Sequence, residues 1–477
     1  MSGSVEDAKS QGYRFDARRL SMLNTMLERI LKDIKPDKKE IERLTACSNE
    51  LMSRLRSVVP KNVEIITAGS IAHGTHLKGS SDIDIFMLFP KEQDERAMEK
   101  KALEFAKRIV NRKKNESYEI KYAEHPYLRL FLGDLDVNAD IVPAFKIRDA
   151  SEMGSAVDRT QLHTEFIVSH LSEKQKDEVR LLKYMLEQHG IYGAEAITEG
   201  FSGYLCELLI YYYGSFAKLI EGFARLSPPV ALYPTSRSVA IGKELGELVK
   251  RFGSGFIVID PTDKGRNVAA NVSIESLSRL ALLSRELLKH PVRKVFFGPE
   301  YEEVDAFSKL SRFEKITGTK RYAIIMQLDD IAEDILWQQM KRLKNRLESE
   351  LSRYGFAPML SLQALEKDKG AIVFFIDRSA KHIDVVQGPS AFMAGASEKF
   401  ARVHSARALS SVLKADKLVY LEKPKYATPE ILIKVLLNRK QDIPTHIRKG
   451  SIKVLTGRMP NLYAQIVYQR LVFATSI

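Results

Sequence analysis

Leu20, Leu23, Leu27, Ile30 and Leu31 recur at helical spacing, and Ile41, Leu44, Leu51 and Leu55 repeat that pattern until Pro60 stops it. Short apolar runs follow. Val63–Thr67 predicts a strand that runs into Ala68-Gly69-Ser70, and Ile83–Phe89 a second, almost wholly apolar one. Ile120–Ala123, Leu128–Leu132 and Val137–Val142 predict further strands, so one α/β domain should end near residue 157. Helices should then dominate. Asp158-Arg159-Thr160-Gln161 and Ser172-Glu173-Lys174-Gln175 both match a capping box, and the second helix should stop at His189-Gly190. Ser202 should cap a helix carrying Leu205, Leu208 and Leu209. A strand at Phe256–Ile259 should lead into a polar loop around Asp263–Asn267, with a helix after Ser273. The last third predicts a β-α-β-β order. Its strands are Tyr322–Leu328, Leu360–Leu365 and Ala371–Ile376, and its helix is striped by Leu336, Met340, Leu343, Leu347 and Leu351 up to Gly355.

The chain of 477 residues is long enough for about two to four domains. With 44% hydrophobic and 28% charged residues it is expected to be globular, which excludes a largely disordered chain. Two distant cysteines, Cys47 and Cys206, exclude a disulfide scaffold and favour a reducing, cytoplasmic setting. No C-x-x-C or H-E-x-x-H occurs, so the common zinc sites have no support. The polar, acidic first residues carry no signal-peptide core, and no apolar run approaches the roughly 20 residues of a membrane span. A soluble protein with no membrane partner is expected.

Charge adds a partner class. The net charge is +13, and residues 401–477 hold 14 Lys and Arg against 4 Asp and Glu, a net +10. The other 400 residues are nearly neutral. A basic segment beside a neutral remainder points to an anionic partner, nucleic acid first.

The chemistry is concentrated in Gly69-Ser70 and, a dozen residues on, Asp82-Ile83-Asp84. Side chains alternate along a strand, so Asp82 and Asp84 share one face while Ile83 and Ile85 point into the core. Adjacent carboxylates repel unless a cation lies between them, so this pair at the mouth of an apolar strand calls for Mg²⁺ or an equivalent ion. Asp140, on the apolar stretch Asn138–Pro143, offers a third acid. Gly69 lets a phosphate approach the backbone, and Ser70 can hold it. The P-loop pattern is absent.

These residues, with His125-Pro126-Tyr127, Ser155–Thr160, Val179–Lys183, Gly190–Glu195, Gly200–Leu209 and Arg266–Asn271, resemble class I, archaeal-type CCA-adding enzymes from about residue 60 to 290. The resemblance implies an α+β multidomain fold: a polymerase-beta-like nucleotidyltransferase head at residues 1–157, a helical neck that reads the nucleotide and base at 158–300, and an α/β body and tail at 301–477 that binds tRNA. It implies that C, C and A are added to the tRNA 3′ end from CTP and ATP without a template, and that Asp82, Asp84 and Asp140 are catalytic and bind two Mg²⁺ ions. Nucleotide contacts carry over to Gly69, Ser70, His73, His163, Lys183, Tyr192 and Arg266, the last in the loop that reads the base. A homodimer is the assembly it suggests. Family members usually have Arg where this chain has His73, and the stretch from about 220 to 255 looks longer than usual. Two alternatives share these features: a poly(A) polymerase or other RNA-directed transferase, and a catalytically dead RNA-binding relative. Removing residues 401–477 is expected to weaken tRNA binding far more than nucleotide binding.

Overall fold

The structure, a computed structural model, describes residues 13–475 except 81, 92–93, 123–124, 134, 136, 298–304, 330 and 378–382. Ser81 beside the paired acids, and Ala123 at the end of one predicted strand, therefore lie outside the described residues. The chain divides into two compact units, Met1–Pro299 and Glu300–Ser476.

In the first unit, α1 (Ala17–Ile34) and α2 (Lys38–Val58) start at Asp16 and Asp37, whose carboxylates accept from the free backbone N–H groups of Arg19 and Glu40. There follow β1 (Glu64–Ala68), the single turn α3 (Gly69–His73), β2 (Asp82–Phe89), α4 (Glu95–Arg108), β3 (Glu116–Tyr122), β4 (Pro126–Leu132) and β5 (Val137–Phe145). The sheet order is β1-β2-β5-β4-β3, with β2 and β5 parallel and the other pairs antiparallel. Ile83, Ile85, Met87 and Phe89 pack with Leu44, Leu51, Leu55, Met98 and Ala102 of α2 and α4. Phe86 and Leu88 face the other way, onto Ala68 and Ala144. Both faces of β2 are thus covered along its second half, which explains its unbroken apolar run and leaves the acids at its open start.

The chain continues through α5 (Thr160–His170), α6 (Glu173–Gln188), α7 (Gly203–Tyr213), α8 (Phe216–Ala224), β6 (Val230–Tyr233), β7 (Ser238–Val239), α9 (Gly242–Phe252), β8 (Phe256–Val258), α10 (Ile274–Lys289) and α11 (Arg293–Phe297). The capping box at Ser172 is formed, and Ser202 and Ser273 cap α7 and α10 as expected. Asp158 is a correction. It lies in a 3₁₀ turn (Val157–Arg159) before α5, and α5 starts at Thr160 with no side-chain cap. Its buried carboxylate accepts instead from the backbone N–H groups of Phe145, Gly154 and Ser155. Three backbone donors, one at the end of β5 and two in the loop after it, outcompete one helix terminus for this buried carboxylate. The long stretch around 220–255 holds the small sheet β7-β6-β8 and α9, none of it signalled by the apolar pattern except β8.

The second unit runs α12 (Ala306–Thr317), β9 (Thr319–Gln327), α13 (Glu333–Arg353), β10 (Pro358–Glu366), β11 (Lys369–Asp377), β12 (Asp384–Ser390), α14 (Ala394–His404), β13 (Ala408–Lys414), β14 (Lys417–Glu422), α15 (Pro429–Asn438), α16 (Thr445–Lys449), β15 (Ser451–Thr456) and α17 (Asn461–Thr475). An antiparallel sheet of order β10-β11-β9-β15 separates two cores. Tyr322, Ile324, Met326, Ile372, Phe374 and Ile376 meet the stripe of α13, while Ala323, Ile325, Ala371, Val373 and Phe375 meet α12 and α17. A sheet buried on both faces needs apolar residues at successive positions, and β11 supplies them. The smaller sheet β12-β14-β13 stands apart from it. No described helix is long and apolar enough to cross a membrane.

Candidate active site

Strand register assembles the acids. Asp84 lies opposite Asp140 in the parallel β2–β5 pair, and Asp82 lies opposite Asn138. All three aspartates therefore share one sheet face at one end. Asn138 Nδ2 donates to Asp82 Oδ1 at 3.1 Å. Arg129, opposite Asp140 on β4, donates from Nε and Nη2 to Asp140 Oδ1 and Oδ2 at 2.7 and 2.6 Å. Burial, then the charges of Asp140 and Asp82, push the Asp84 carboxyl up to about 7.

Gly69 follows β1 on the opposite side of Asp84, which pairs with Ala68. Its φ is +70°, and a Cβ there would overlap Asp84 Oδ2. Glycine is required twice, for the backbone angle and for the carboxylate's room. Gly69→Ala is expected to lower nucleotide incorporation about tenfold or more, with a stability loss of about 1–2 kcal/mol from the left-handed angle. Steady-state kinetics and urea melts check this.

His73 and Lys183 enter a second cluster, centred on a residue the sequence reading missed. Glu207 of α7 is fully buried. Its Oε2 accepts from His73 Nδ1 at 2.9 Å, and its Oε1 accepts from Thr75 Oγ1 at 2.5 Å and lies 3.4 Å from Lys183 Nζ. Lys183 Nζ also donates to Thr75 Oγ1 at 3.0 Å, and His73 Nε2 lies 3.2 Å from Thr164 Oγ1. His73 and Lys183 are thus held by protein groups rather than open to solvent. Burial alone would raise the Glu207 carboxyl, but Lys183 and His73, with hydrogen bonds from His73 and Thr75, bring it down to about 2.

A folded value below the unfolded one of about 4.3 means that the stability Glu207 supplies is complete above the unfolded value and is lost as pH falls through the folded one. The stability gap between the native chain and Glu207→Gln should therefore be constant above about pH 5 and close between about pH 4.5 and 2. Urea midpoints of the two proteins across that range test the sign.

A third cluster brings His163 and Arg266 together through another missed residue. Asp260, wholly buried, accepts at Oδ2 from His163 Nε2 and Arg266 Nη1, both at 2.9 Å. Its Oδ1 accepts from Tyr204 Oη at 3.1 Å and from Thr262 N and Oγ1 at 2.9 and 2.8 Å. Burial pushes the Asp260 carboxyl upward, but the hydrogen bonds from His163, Thr262 and Arg266 hold it well below the usual carboxylate range. The His163 ring stacks on Tyr204 with centroids 3.8 Å apart. Asp260 also lines a cavity of about 860 Å³ with Tyr233, Arg251 and Lys264. Tyr192 bridges to Phe201 in the loop before α7, and its hydroxyl lies 3.2 Å from where a Cβ on Gly203 would be.

Among the described residues, the trio of metal-type side chains whose ligand atoms lie within 4.8 Å of one another is Glu95, Glu99 and His125. Asp82, Asp84 and Asp140 share a face without being drawn that close. The Glu95–Glu99–His125 trio closes on itself, since His125 Nδ1 donates to Glu99 Oε1 at 3.0 Å. The aspartate face fits a divalent cation better. It offers hard oxygen donors only, and burial with the charges of Asp140 and Asp82 pushes the Asp84 carboxyl up, a repulsion that a cation there would relieve.

A nucleotidyltransferase domain model matches residues 48–163, which contain the acidic face and the Gly-Ser turn. The chain is a nucleotidyltransferase. Residues 177–297 match the second domain of tRNA nucleotidyltransferase, and residues 317–455 match the C-terminal domain of CCA-adding enzyme. A CCA-adding enzyme of Sulfurisphaera tokodaii is 39% identical over 70% of this chain and 73% of its own. Those of Archaeoglobus fulgidus and Methanocaldococcus jannaschii are 37% and 34% identical, over 70% and 79% of this chain and 72% and 83% of theirs. The chain belongs to the CCA-adding enzyme family.

Proposed function

We propose that this chain adds C, C and A to the 3′ end of tRNA from CTP and ATP, using no nucleic-acid template and releasing pyrophosphate. The observation that carries the site is the register of Asp84 opposite Asp140, with the Gly69–Ser70 turn on the far side of Asp84. In this reading Asp82, Asp84 and Asp140 hold two Mg²⁺ ions, which when bound acidify the RNA 3′-hydroxyl and neutralise the departing pyrophosphate.

The chain's own residues do the rest. Gly69 makes room for the Asp84 carboxylate and keeps the backbone of the turn bare toward a phosphate, and the Ser70 hydroxyl donates to that phosphate. Arg129 holds Asp140 in place from the neighbouring strand β4, a positioning contact. Lys183 supplies positive charge behind the turn, and His73 ties the end of that turn to Glu207 and Thr164. His163, Tyr192 and Arg266 face the sugar and base, and Asp260 fixes two of them. The cavity beside Asp260 is of a size that accepts a nucleoside. Residues 1–157 form the catalytic head and 158–300 the neck that reads the nucleotide. Residues 301–477 grip tRNA, in a cytoplasmic enzyme that assembles as a homodimer.

The test is a product count. Given Mg²⁺, CTP, ATP and tRNA trimmed of its 3′ end, the protein should add three residues, C-C-A, and stop. A long ladder of A made without CTP would assign it to poly(A) synthesis, and no incorporation would make it a binding protein.

A further inference from the structure

Glu207 is a buried charge that the reaction as described does not use. Its neighbours come from three places in the chain: His73 ends the turn α3, Thr75 follows that turn, and Lys183 lies within α6. The five residues of α3 are too few to hold a helical turn by backbone bonding alone. The turn is fixed at both ends instead. Gly69 fits against Asp84 at the first, and at the second His73 is tied to Glu207 and Thr164. A lysine buried as deeply as Lys183 needs a counter-charge, and Glu207 lies 3.4 Å from its ammonium. One carboxylate therefore sets both the place of Ser70 relative to Asp84 and the place of the Lys183 charge behind it.

We propose that Glu207 is a positioning residue of the nucleotide site: its shared carboxylate holds the Gly69–His73 turn and the Lys183 ammonium in the one arrangement that receives a nucleoside triphosphate. This rests on the reading of that site as a nucleotidyltransferase centre. The triphosphate is common to CTP and ATP, so the effect is blind to the base. Glu207→Gln keeps the shape and removes the charge, leaving Lys183 and His73 without their partner.

The experiment is steady-state kinetics of the full chain with Mg²⁺ and trimmed tRNA, titrating CTP and ATP separately. KM for both nucleotides should rise together by about tenfold or more, with kcat changed less than about threefold and KM for tRNA unmoved. Glu207→Asp keeps the charge one methylene further back and should raise both nucleotide KM values about threefold. A merely structural Glu207 would lower Tm and kcat in proportion to the folded fraction and leave every KM where it was. Asp84→Asn, run in parallel, separates the two claims. Unchanged nucleotide KM values with an inactive Asp84→Asn overturn the positioning role alone, whereas a fully active Asp84→Asn overturns the reading of the site. If Glu207→Gln does not accumulate as folded protein, Glu207→Asp decides, and native KM values in that variant overturn the proposal.

Discussion

Asp84→Asn is expected to lower incorporation of CTP by about 10³-fold or more in kcat/KM while the protein stays folded and as heat-stable as before, or more so. Asp84 sits between Asp140 and the room left by Gly69, so it is the acid shared by both sides of the face. Charge stabilisation by a bound divalent ion is worth several kcal/mol, and each 1.4 kcal/mol is about tenfold in rate. Stability moves the other way for a reason visible in the structure. Burial and two neighbouring carboxylates disfavour the charged form of Asp84, so a neutral, isosteric amide relieves repulsion. Kinetics in Mg²⁺ and thermal melts in a chelator measure the two halves. Full incorporation by the variant would remove Asp84 from the chemistry, and a folding defect would remove the repulsion argument.

That opposition between stability and activity explains why the acidic face was legible from the chain alone. Three carboxylates on apolar strands are costly to fold, so their pattern stands out against any structural expectation. β2 itself was legible because its second half is buried on both faces. The partners of the acids were not. Arg129 looks like one charge in a half-buried strand until the β4–β5 register sets it opposite Asp140. Glu207 and Asp260 are single acids in segments of other character, and their partners Thr75 and His163 lie 132 and 97 residues away. Spacing cannot find contacts of that range. At Asp158 the local motif misled, because a capping box and a loop clasp use the same residue types. In the second unit, β13 is exposed along nearly its whole length, so it leaves no burial rhythm to read. β15 is a sheet edge with Lys453 exposed at its centre, and it has the same effect.

The basic C-terminal segment yields the second large effect, and the fold changes how it must be tested. Truncation at residue 401 removes β15, which pairs with β9 from Ser451 to Thr456, and α17, whose Tyr463, Ala464 and Val467 fill one core of the same sheet. A shortened chain would lose binding by unfolding, whatever its charges do. Side-chain substitution avoids this. Arg439, Lys440, Arg448 and Lys449 are all exposed, so replacing them with Gln removes charge without opening a core. Each phosphate neutralised contributes about 0.9 to the slope of log affinity against log salt, so four contacts account for about 3.6. Between 50 and 200 mM salt, the native chain should therefore lose about 100-fold more tRNA affinity than the fourfold variant. KM for CTP should stay within about twofold, because these residues belong to the second unit and the nucleotide cluster to the first. Filter binding across a salt series reads the slope. Equal slopes in the two proteins would place the phosphate contacts elsewhere on the chain, and a matching rise in KM for CTP would mean that these cations serve the nucleotide rather than the RNA.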